Sequence, residues 1–526
     1  MDALYARVPF DVILMLMPLR LYNTFSKQEE PLDTLATPSQ ATRGDIKSRI
    51  ITMYTCGPTV YGRPHIGNYS SFLMADLLRR WLEVSGYQVK HVKNITDVGH
   101  LLHDADHGDD KIQKEAEKEK LHPLEIAQRY TEQYLEDERA LNMLEPMSRP
   151  RASAFIKEQL KIIKILLEKG NVYETEDGVY FAVETFPQYG ALSGNTLQNL
   201  SAGVRIAVDE KKKHPADFAL WKKCVGDNGR HVLRWKFSTG EISQSEGEDV
   251  ASGFPGWHIE CSAMSSSLLG DQIDIHTGGE DNIFPHHECE IAQSEAATGK
   301  QFVRLWLHKR RIEIGDLELR DPSTRPSLPS AASRSMSKSL GNILTVPDII
   351  AKGYSPLDLR YYLLSVHYRT HLKFTWKGMD DSRKARRKIL DWISEVQRDA
   401  GDEDGHPGFM PVKTLEIFRN VMNEDLNTPA ALAEIFGLMN FYYANRPFDP
   451  EAIHGYKKFI EVICRTFGCF ESEVESVPTE VQSLLKGRDA ARARKDFKES
   501  DRLRSVIKER GFEVKDTSQG QVVRKI

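Results

Sequence analysis

The stretch IITMYTCGPTVYGRPHIGNYSSFLMADLLRRWLEVSGYQVKHVKNI, residues 50–95, decides the fold. Ile50–Thr55 is rich in apolar and β-branched residues and predicts a strand, and a turn rich in Gly and Pro follows it. Residues 68–85 then carry apolar side chains at helical spacing, with Gly86 as the stop signal. Because residues 87–95 are again β-prone, the stretch predicts a strand–helix–strand unit of an α/β fold.

His65–Asn68 precedes the predicted helix and predicts a phosphate site. The backbone N–H groups and the dipole at a helix N-terminus both favour an anion. Taken alone, the sequence His-Ile-Gly-Asn is more typical of an ordinary turn. The prediction therefore depends on the strand and helix around it.

Size and composition limit the class of protein. A chain of 526 residues is too long for one core and predicts three or four domains. Its hydrophobic content of 40% and charged content of 28% fit a soluble globular enzyme, and its net charge of −5 gives no overall nucleic-acid signal. From Lys486 to Ile526, however, 13 Lys and Arg face 7 Asp and Glu, a local net charge of +6. No apolar run is long enough to span a membrane, so we expect a cytoplasmic protein.

The cysteines do not fit a disulfide framework. Six in a chain of this length indicate a reduced compartment with metal or catalytic use. His286 and Glu290 are spaced i, i+4 and share one helical face. With Cys56 and Cys261 they offer thiolate, imidazole and carboxylate ligands, a set that suits zinc. A closed structural zinc, or buried thiols without metal, is the alternative.

Several motifs together identify a family. The sequence resembles cysteinyl-tRNA synthetases, which are class I aminoacyl-tRNA synthetases, from about Leu19 to Ile526. The matching strings are CGPTVY at residues 56–61, GWHIECSAM at 256–264, FPHHE at 284–288 and MSKSLGN at 336–342. Together these strings are highly specific, although each short one alone is weak.

The resemblance implies a set of site residues. Zinc, one ion per chain, would be held by Cys56, Cys261, His286 and Glu290, and would bind the thiol of cysteine in preference to the harder hydroxyl of serine. The amino acid would meet Cys56, Thr96 and Trp257, although Trp257 could also be plain core. ATP with Mg²⁺ would meet Gly57, His65, Asn68, Gly279, Asp281 and Lys338. His276 suits a buried core histidine equally well.

The two phosphate signatures depart from the usual family patterns. The first normally reads His-x-Gly-His and here ends in Asn68, which keeps a neutral donor. The second normally reads Lys-Met-Ser-Lys-Ser and here begins with Ser335, so its first lysine is missing. His65, Asn68 and Lys338 are the implied catalytic residues, and Arg334 is the candidate for supplying the absent charge. A solvated Ser-rich loop is the alternative for this second segment.

The resemblance implies a Rossmann-like parallel-sheet catalytic domain with an insertion, an α-helical anticodon-binding region and a small C-terminal module. Two further segments, 225–254 and 311–334, look inserted. The expected ranges are 1–18 for an N-terminal extension, 19–145 and 216–346 for the two halves of the catalytic domain, 146–215 for the insertion between them, 347–404 for a helical region contacting the tRNA stem, 405–485 for the anticodon-binding bundle and 486–526 for the basic module.

The implied partners are tRNA(Cys), L-cysteine and ATP, and we expect a monomer. Basic residues on two predicted helices are candidates for RNA contact, although such runs are also typical of a solvated helix face. They are Arg383, Lys384, Arg386, Arg387, Lys388, Arg488, Arg492, Arg494, Lys495, Arg502 and Arg504.

Two other functions stay open on the sequence alone. A related ligase that transfers cysteine to an amino-sugar would match the catalytic half, but residues 405–526 argue against it. A catalytically silent tRNA-binding relative is suggested by Asn68 and Ser335. Retention of the four metal-ligand types, Lys338 and Asp281 favours an active cysteine–tRNA ligase.

Overall fold

The strand–helix–strand prediction for residues 50–95 is confirmed. In the computed structural model the strand Ile50–Thr55, the helix Ile66–Val84 and the strand Gln88–Lys93 follow one another, and the two strands pair in parallel. The structure describes residues 18–32, 50–99, 101, 110–197, 211–314, 343–399, 409–446, 450–470, 479–517 and 520–525.

The strands fall into five sheets in the described ranges. They are β1 (Arg20–Asn23), β2 (Gln28–Pro31), β3 (Ile50–Thr55), β4 (Gln88–Lys93), β5 (Val172–Glu174), β6 (Gly178–Phe181), β7 (Phe218–Cys224), β8 (Trp235–Lys236), β9 (Asp249–Pro255), β10 (Ile273–Gly279), β11 (Val303–Lys309), β12 (Ile312–Ile314), β13 (Leu372–Phe374), β14 (Phe512–Thr517) and β15 (Gly520–Lys525).

Helices connect and cover these sheets. Those of the described residues are Ile66–Val84, Lys111–Glu119, Pro123–Ala140, Ile156–Glu168, Trp257–Leu269, Glu288–Thr298, Val346–Ala351, Pro356–Leu364, Trp376–Asp399, Phe409–Asn423, Thr428–Ala444, Pro450–Phe467, Thr479–Ala493 and Phe497–Glu509. None of them is both long and apolar enough to cross a lipid bilayer.

The central sheet is parallel, in the order β11–β10–β3–β4. Leu305 and Leu307 of β11 belong to the core that also contains the helix Ile66–Val84, whereas Trp306 belongs to the core on the other face. Successive side chains of a strand point to opposite faces, and parallel sheets are normally covered on both. The Rossmann-like α/β prediction is confirmed.

A second sheet, antiparallel and in the order β5–β6–β7–β9–β8, lies between β4 and β10 in the chain. The apolar run of β7 predicts a return to the parallel sheet near residue 216, but β7 pairs antiparallel with β6 and β9. Its side chains are almost all buried, so the run lacks the alternation that marks an antiparallel strand. The parallel sheet resumes only at β10, and residues 225–254, which looked inserted, supply β8 and most of β9.

The chain after residue 346 is mainly helical, as the sequence predicts. Ile389 and Trp392 of one helix pack in a common core with Ile435 and Phe459 of two others. The same core includes Trp81, whose indole N–H donates to Asn423 Oδ1 at 2.9 Å. The bundle is therefore fastened to the helix that follows the predicted phosphate segment.

The chain divides into two compact units, residues 1–350 with 354–470 and residues 351–353 with 471–526. In the second unit the helices Thr479–Ala493 and Phe497–Glu509 pack with the hairpin β14–β15. Val481, Ile507, Phe512 and Val514 form their core. The small C-terminal module thus has its own apolar core.

Candidate active site

Three segments bring the predicted metal ligands to the carboxyl edge of the parallel sheet. Cys56 directly follows β3, and its N–H donates to Thr277 O of β10 at 3.2 Å. Cys261 lies in the first turns of the helix Trp257–Leu269, and Glu290 in the first turn of Glu288–Thr298. His286 belongs to a single π turn, Ile283–His287, directly before that helix. All four side chains are buried.

The structure brings these four side chains into one cluster. Cys56 Sγ lies 3.9 Å from Cys261 Sγ and 3.7 Å from Glu290 Oε1. His286 Nε2 lies 3.1 Å from the same Glu290 oxygen, and His286 also hydrogen-bonds Cys261. The i, i+4 spacing of His286 and Glu290 therefore places them on one side despite the π turn.

Two further histidines join the cluster, and sequence reasoning did not assign them to it. His287 Nε2 lies 3.2 Å from Cys56 Sγ, and Cys56, His286, His287 and Glu290 together could hold a metal ion. His276 Nε2 lies 3.1 Å from Glu290 Oε2. The signal for His287 was its i, i+3 spacing from Glu290. For His276, which β10 places beside β3, the sequence gave no such signal.

The buried charges of the cluster are coupled. Although burial opposes ionisation, His276 and His286 hold the pKa of Glu290 at about 2. Burial likewise opposes the charged form of His286, but Glu290 and Cys261 raise its pKa to about 10. Hydrogen bonds from Cys56 and His286 lower the pKa of Cys261 to about 6 against the effect of burial. Burial raises the pKa of the Cys56 thiol well above its usual range. The cluster thus pairs a carboxylate and a thiolate with a protonated imidazole, and a bound metal ion would replace the proton on His286.

A cleft of about 350 Å³ opens next to this cluster. Its lining includes Cys56 and Trp257. It also includes His65 and Asn68 at the start of the helix Ile66–Val84, Gly279 at the end of β10, and Asp281 just after β10. Trp257 also stacks on His286 with ring centroids 4.2 Å apart. Cys56 is therefore shared between the metal cluster and the cleft.

His65 and Asn68 cap the helix Ile66–Val84 reciprocally. Asn68 N–H donates to His65 Nδ1 at 3.3 Å, and His65 N–H donates to Asn68 Oδ1 at 3.0 Å. This capping box engages the amide oxygen of Asn68 and leaves its NH₂ group as the donor. Ile66 N–H in turn donates to Leu344 O at 2.8 Å, which brings the chain after residue 342 beside His65.

Gly57 has a packing reason to be glycine. A Cβ at this position would lie 1.7 Å from Asn94 O, while its own N–H donates to Asn94 Oδ1 at 2.8 Å. Any side chain would push the turn after β3 away from β4. Gly57 therefore shapes the cleft through its backbone.

Asp281 lies in the cleft but is already paired. Arg311 Nε is 2.5 Å from Asp281 Oδ1 and 3.1 Å from Glu280 Oε1. Arg310 Nη1 is 2.9 Å from the other oxygen of Glu280. A sugar hydroxyl bound by Asp281 would have to share this carboxylate with Arg311.

Thr96 is placed differently from the other predicted residues. It is buried and does not line the cleft, and its hydroxyl donates to Glu260 Oε2 at 2.8 Å. Burial raises the pKa of that carboxyl well above its usual range. Thr96 N–H also donates to Pro58 O at 3.1 Å, so Thr96 contacts the cleft wall through its backbone rather than through its side chain.

Comparison with known proteins agrees with this geometry. The family model for the catalytic domain of class I (C) tRNA synthetases matches residues 43–384. Over 525 residues the chain is 37% identical to the cysteine–tRNA ligase of Chlorobaculum tepidum, covering 95% of this chain and 98% of the relative. The chain belongs to the cysteine–tRNA ligase family. It is thus a class I aminoacyl-tRNA synthetase, and enzymes of this family use ATP.

The family match extends to the C-terminal regions and to further relatives. A DALR domain model matches residues 417–471, and the cysteinyl-tRNA ligase anticodon binding domain matches 475–524. The cysteine–tRNA ligase of Thermus thermophilus is 38% identical over 522 residues, 96% of this chain and 98% of that one. Full-length relatives of this kind support cysteine–tRNA ligase function.

Solved structures show the same fold at low identity. Methionyl-tRNA synthetase of Mycobacterium tuberculosis with methionyl-adenylate has a TM-score of 0.53 at 13% identity and covers 80% of this chain and 90% of its own. LeuRS of Agrobacterium radiobacter in a ternary complex with tRNA and LeuAMS has a TM-score of 0.56 at 11% identity, covering 82% and 85%.

Some predicted residues of the ligase cannot be placed or have other roles. Lys338, Arg334 and Ser335 lie outside the described residues. Arg386, expected to face RNA, is buried and donates to Asp358 Oδ1 at 3.0 Å and Cys469 O at 2.6 Å. Arg488 is likewise buried and bound to Asp516. Charge counting along the sequence does not distinguish such arginines from exposed ones.

Proposed function

We propose that the chain joins cysteine to tRNA(Cys) in two steps at this cleft, with zinc recognising the substrate thiol. The observation that carries the proposal is the position of Cys56, which belongs both to the metal cluster and to the wall of the cleft. An amino acid whose thiol reaches the cluster would have its carboxylate in the cleft that holds His65 and Asn68. Recognition and activation would thus occur side by side.

The donor set fits zinc. Two sulfur ligands of one tetrahedral zinc lie about 3.8 Å apart when Zn–S bonds are about 2.3 Å long, and the two Sγ atoms here are 3.9 Å apart. Cys56, Cys261, His286 and Glu290 would hold the ion, with His287 as the competing imidazole. When bound, zinc supplies a soft Lewis acid that prefers a thiolate to a hydroxyl.

In the first step a carboxylate oxygen of cysteine would attack the α-phosphorus of ATP. The bond to the bridging oxygen breaks and pyrophosphate leaves, giving cysteinyl-adenylate. His65 and the NH₂ group of Asn68 would donate to the charge that develops on the α-phosphate. Lys338 would neutralise the departing pyrophosphate, and Mg²⁺ would accompany ATP without a dedicated protein cage. The tether of Leu344 to Ile66 supports a role for the segment that contains Lys338.

In the second step a terminal ribose hydroxyl of tRNA(Cys) would attack the carbonyl carbon of the adenylate and release AMP. Gly57, Gly279 and Asp281 would hold the adenosine, and Trp257 the amino acid. Positioning and electrostatics carry such a reaction, because substrates supply both nucleophile and leaving group.

The test is cysteine-dependent ATP–pyrophosphate exchange, followed by transfer of labelled cysteine to tRNA(Cys) or to an amino-sugar. We expect exchange and transfer to tRNA alone. Tight tRNA binding without exchange would overturn the proposal in favour of a silent tRNA-binding protein. Transfer to the amino-sugar would overturn it in favour of the related ligase.

A further inference from the structure

Lys309, the last residue of β11, is a buried cation whose ammonium makes no hydrogen bond to the described residues. Only 3% of the residue is exposed to solvent. Its ammonium nitrogen is fully buried and has no hydrogen-bond partner among the residues that the structure describes. Burial of an unpaired charge is costly, so such a group is expected to meet an anion in the working protein.

The side chain lies on the face of the sheet where the phosphate segment is. Lys309 pairs with Gly279 in the parallel register, and a Cβ on Gly279 would lie 3.2 Å from Ser71 Oγ of the helix Ile66–Val84. Neighbouring residues of a parallel pair point to the same face. Lys309 also lines the cleft together with His65, Asn68 and Asp281. The ammonium therefore lies beside the predicted ATP position.

The acidic groups nearby are engaged by other cations. Glu280 is the carboxylate that acts electrostatically on Lys309, but its oxygens are bound by Arg310 and Arg311. Arg311 also holds Asp281. Burial, partly offset by Glu280, lowers the pKa of Lys309 to about 8. Both arginines thus have carboxylate partners, whereas the ammonium of Lys309 does not hydrogen-bond to any of these carboxylates. Lys309 is therefore the better candidate to bind an added anion.

Two backbone N–H groups at the N-terminus of the helix Ile66–Val84 are engaged within the protein. The N–H of Ile66 is bound to Leu344 O, and that of Asn68 to His65, so neither is available without rearrangement. The sequence also has Ser335 where the family's second signature usually has its first lysine. The anionic part of ATP is its triphosphate, and a buried side-chain cation of the cleft would supplement the remaining donors.

We propose that Lys309 is a phosphate-binding residue of the ATP site, donating from its ammonium to the triphosphate. The inference rests on the proposed function, because it takes ATP as the ligand of the cleft. Lys309 would supply part of the positive charge that is missing because Ser335 stands where the family usually has a lysine.

The experiment compares Lys309→Met, Lys309→Arg and the surface control Lys300→Met, a residue that is exposed and paired with Asp271. Calorimetric titration with ATP and with adenosine measures binding directly, and thermal melting reports folding. Hydrogen bonds to charged groups contribute about 1.5–3 kcal/mol, so Lys309→Met should weaken ATP binding about 10- to 150-fold. The affinity for adenosine and the KM for cysteine should be unchanged, and the melting temperature should not fall. Lys309→Arg should recover part of the ATP affinity.

Three results would overturn the inference. The first is unchanged ATP affinity in Lys309→Met, and the second is an equal loss for ATP and adenosine, which indicates a structural role. The third is a raised KM for cysteine with ATP affinity intact, which would assign Lys309 to the amino-acid carboxylate. The titrations do not require turnover, so wild-type protein that binds ATP but shows no cysteine-dependent exchange would contradict the proposed function and leave this test in place.

Discussion

Cys56 lies where the metal cluster meets the cleft, because β3 ends there and Thr277 O holds its N–H. The residue before it is part of a central strand, so the backbone at this point is fixed by neighbours on both sides. The thiol reaches toward Cys261 and Glu290, while Gly57 begins the turn toward His65. One residue thus joins the proposed metal site to the proposed phosphate site.

The zinc content of purified variants tests whether His286 or His287 is the histidine ligand. We expect Cys261→Ser and His286→Ala to lose most bound zinc, because each removes one of four ligands. His287→Ala should retain it, because His287 is outside the proposed set of four ligands, although its Nε2 lies 3.2 Å from Cys56 Sγ. Atomic absorption on the purified variants measures this. Zinc retained in His286→Ala and lost in His287→Ala would exchange the two roles.

The helix-capping role of Asn68 and its proposed catalytic role can be tested separately. Asn68→Asp keeps an acceptor for His65 N–H and suits the helix dipole, so the melting temperature should stay close to the wild type. It removes the NH₂ donor and adds a negative charge, so the exchange rate should fall about 100-fold or more.

Asn68→Ala is the matched control for that experiment. It removes the donor and the cap together but adds no charge, so the exchange rate should fall by less than in Asn68→Asp, with a loss of about 0.5–1 kcal/mol in stability. Full exchange activity in Asn68→Asp would show that the amide does not donate to the phosphate.

At the scale of elements, the helix Ile66–Val84 connects the cleft to the helical region. Its first turn carries the cap at His65 and Asn68, and its third carries Asp76. Asp76 Oδ2 accepts from Arg80 Nε at 2.8 Å and from Arg360 Nη2 at 2.5 Å, all three side chains being buried. Arg360 Nε also donates to Phe467 O at 2.6 Å. The position of the helix is therefore set partly by this buried ion network.

Asp76→Asn should destabilise the protein by about 3 kcal/mol or more, because it leaves two buried guanidinium groups without their carboxylate. Urea unfolding followed by tryptophan fluorescence measures the change. Asp381→Asn, which removes an exposed carboxylate paired with Lys377, is the control and should leave the unfolding transition in place. An unfolding curve of Asp76→Asn that overlaps the wild type would contradict the role of the network.

The same residue gives a pH dependence with a definite sign. Although burial opposes ionisation, Arg360 and Arg80 hold the pKa of Asp76 at about 2. A carboxyl whose pKa is lowered in the folded state stabilises the protein above its unfolded pKa of about 3.9. This contribution is lost as the pH falls from about 4 to 2. Asp76→Asn should lack that part of the acid transition.

The sequence predicted some elements well because the signals were local. Residues 50–95 carry a strand, helical periodicity, a stop signal and a second strand in order, and this strand–helix–strand unit is confirmed. β7 was misplaced because complete burial removes the alternation that distinguishes antiparallel from parallel strands. Arg386 was misread because its partners, Asp358 and Cys469, are distant in sequence. His276 and Lys309 depend on strand pairings that the sequence alone does not give.

At the scale of the whole molecule, ion pairing distinguishes which basic residues of the C-terminal unit are candidates for RNA contact. In the C-terminal unit Arg492 and Arg502 are paired with Asp516 and Glu499, whereas Arg494 and Lys495 are exposed and outside the ion pairs of the described chain. These two residues are therefore better candidates for phosphate contacts than Arg488.

The double change Arg494→Glu with Lys495→Glu should lower kcat/KM for tRNA charging and leave pyrophosphate exchange unchanged. Each lost phosphate contact should also reduce the salt slope of tRNA binding by about 0.7–0.9. Filter binding at several salt concentrations measures the slope, with Arg502→Gln as the control. An unchanged slope would place the RNA contacts elsewhere.

Selection of a thiol by a soft cation beside the adenylate site is the central claim for the molecule as a whole. The most direct measurement pairs zinc content with exchange kinetics for cysteine and for serine on the same preparation. We predict one zinc per active chain and a preference for cysteine of about 10⁴-fold or more in kcat/KM, as expected for a site built around one polar group of its substrate. Fully active protein without zinc, or activation of serine at a comparable rate, would contradict it.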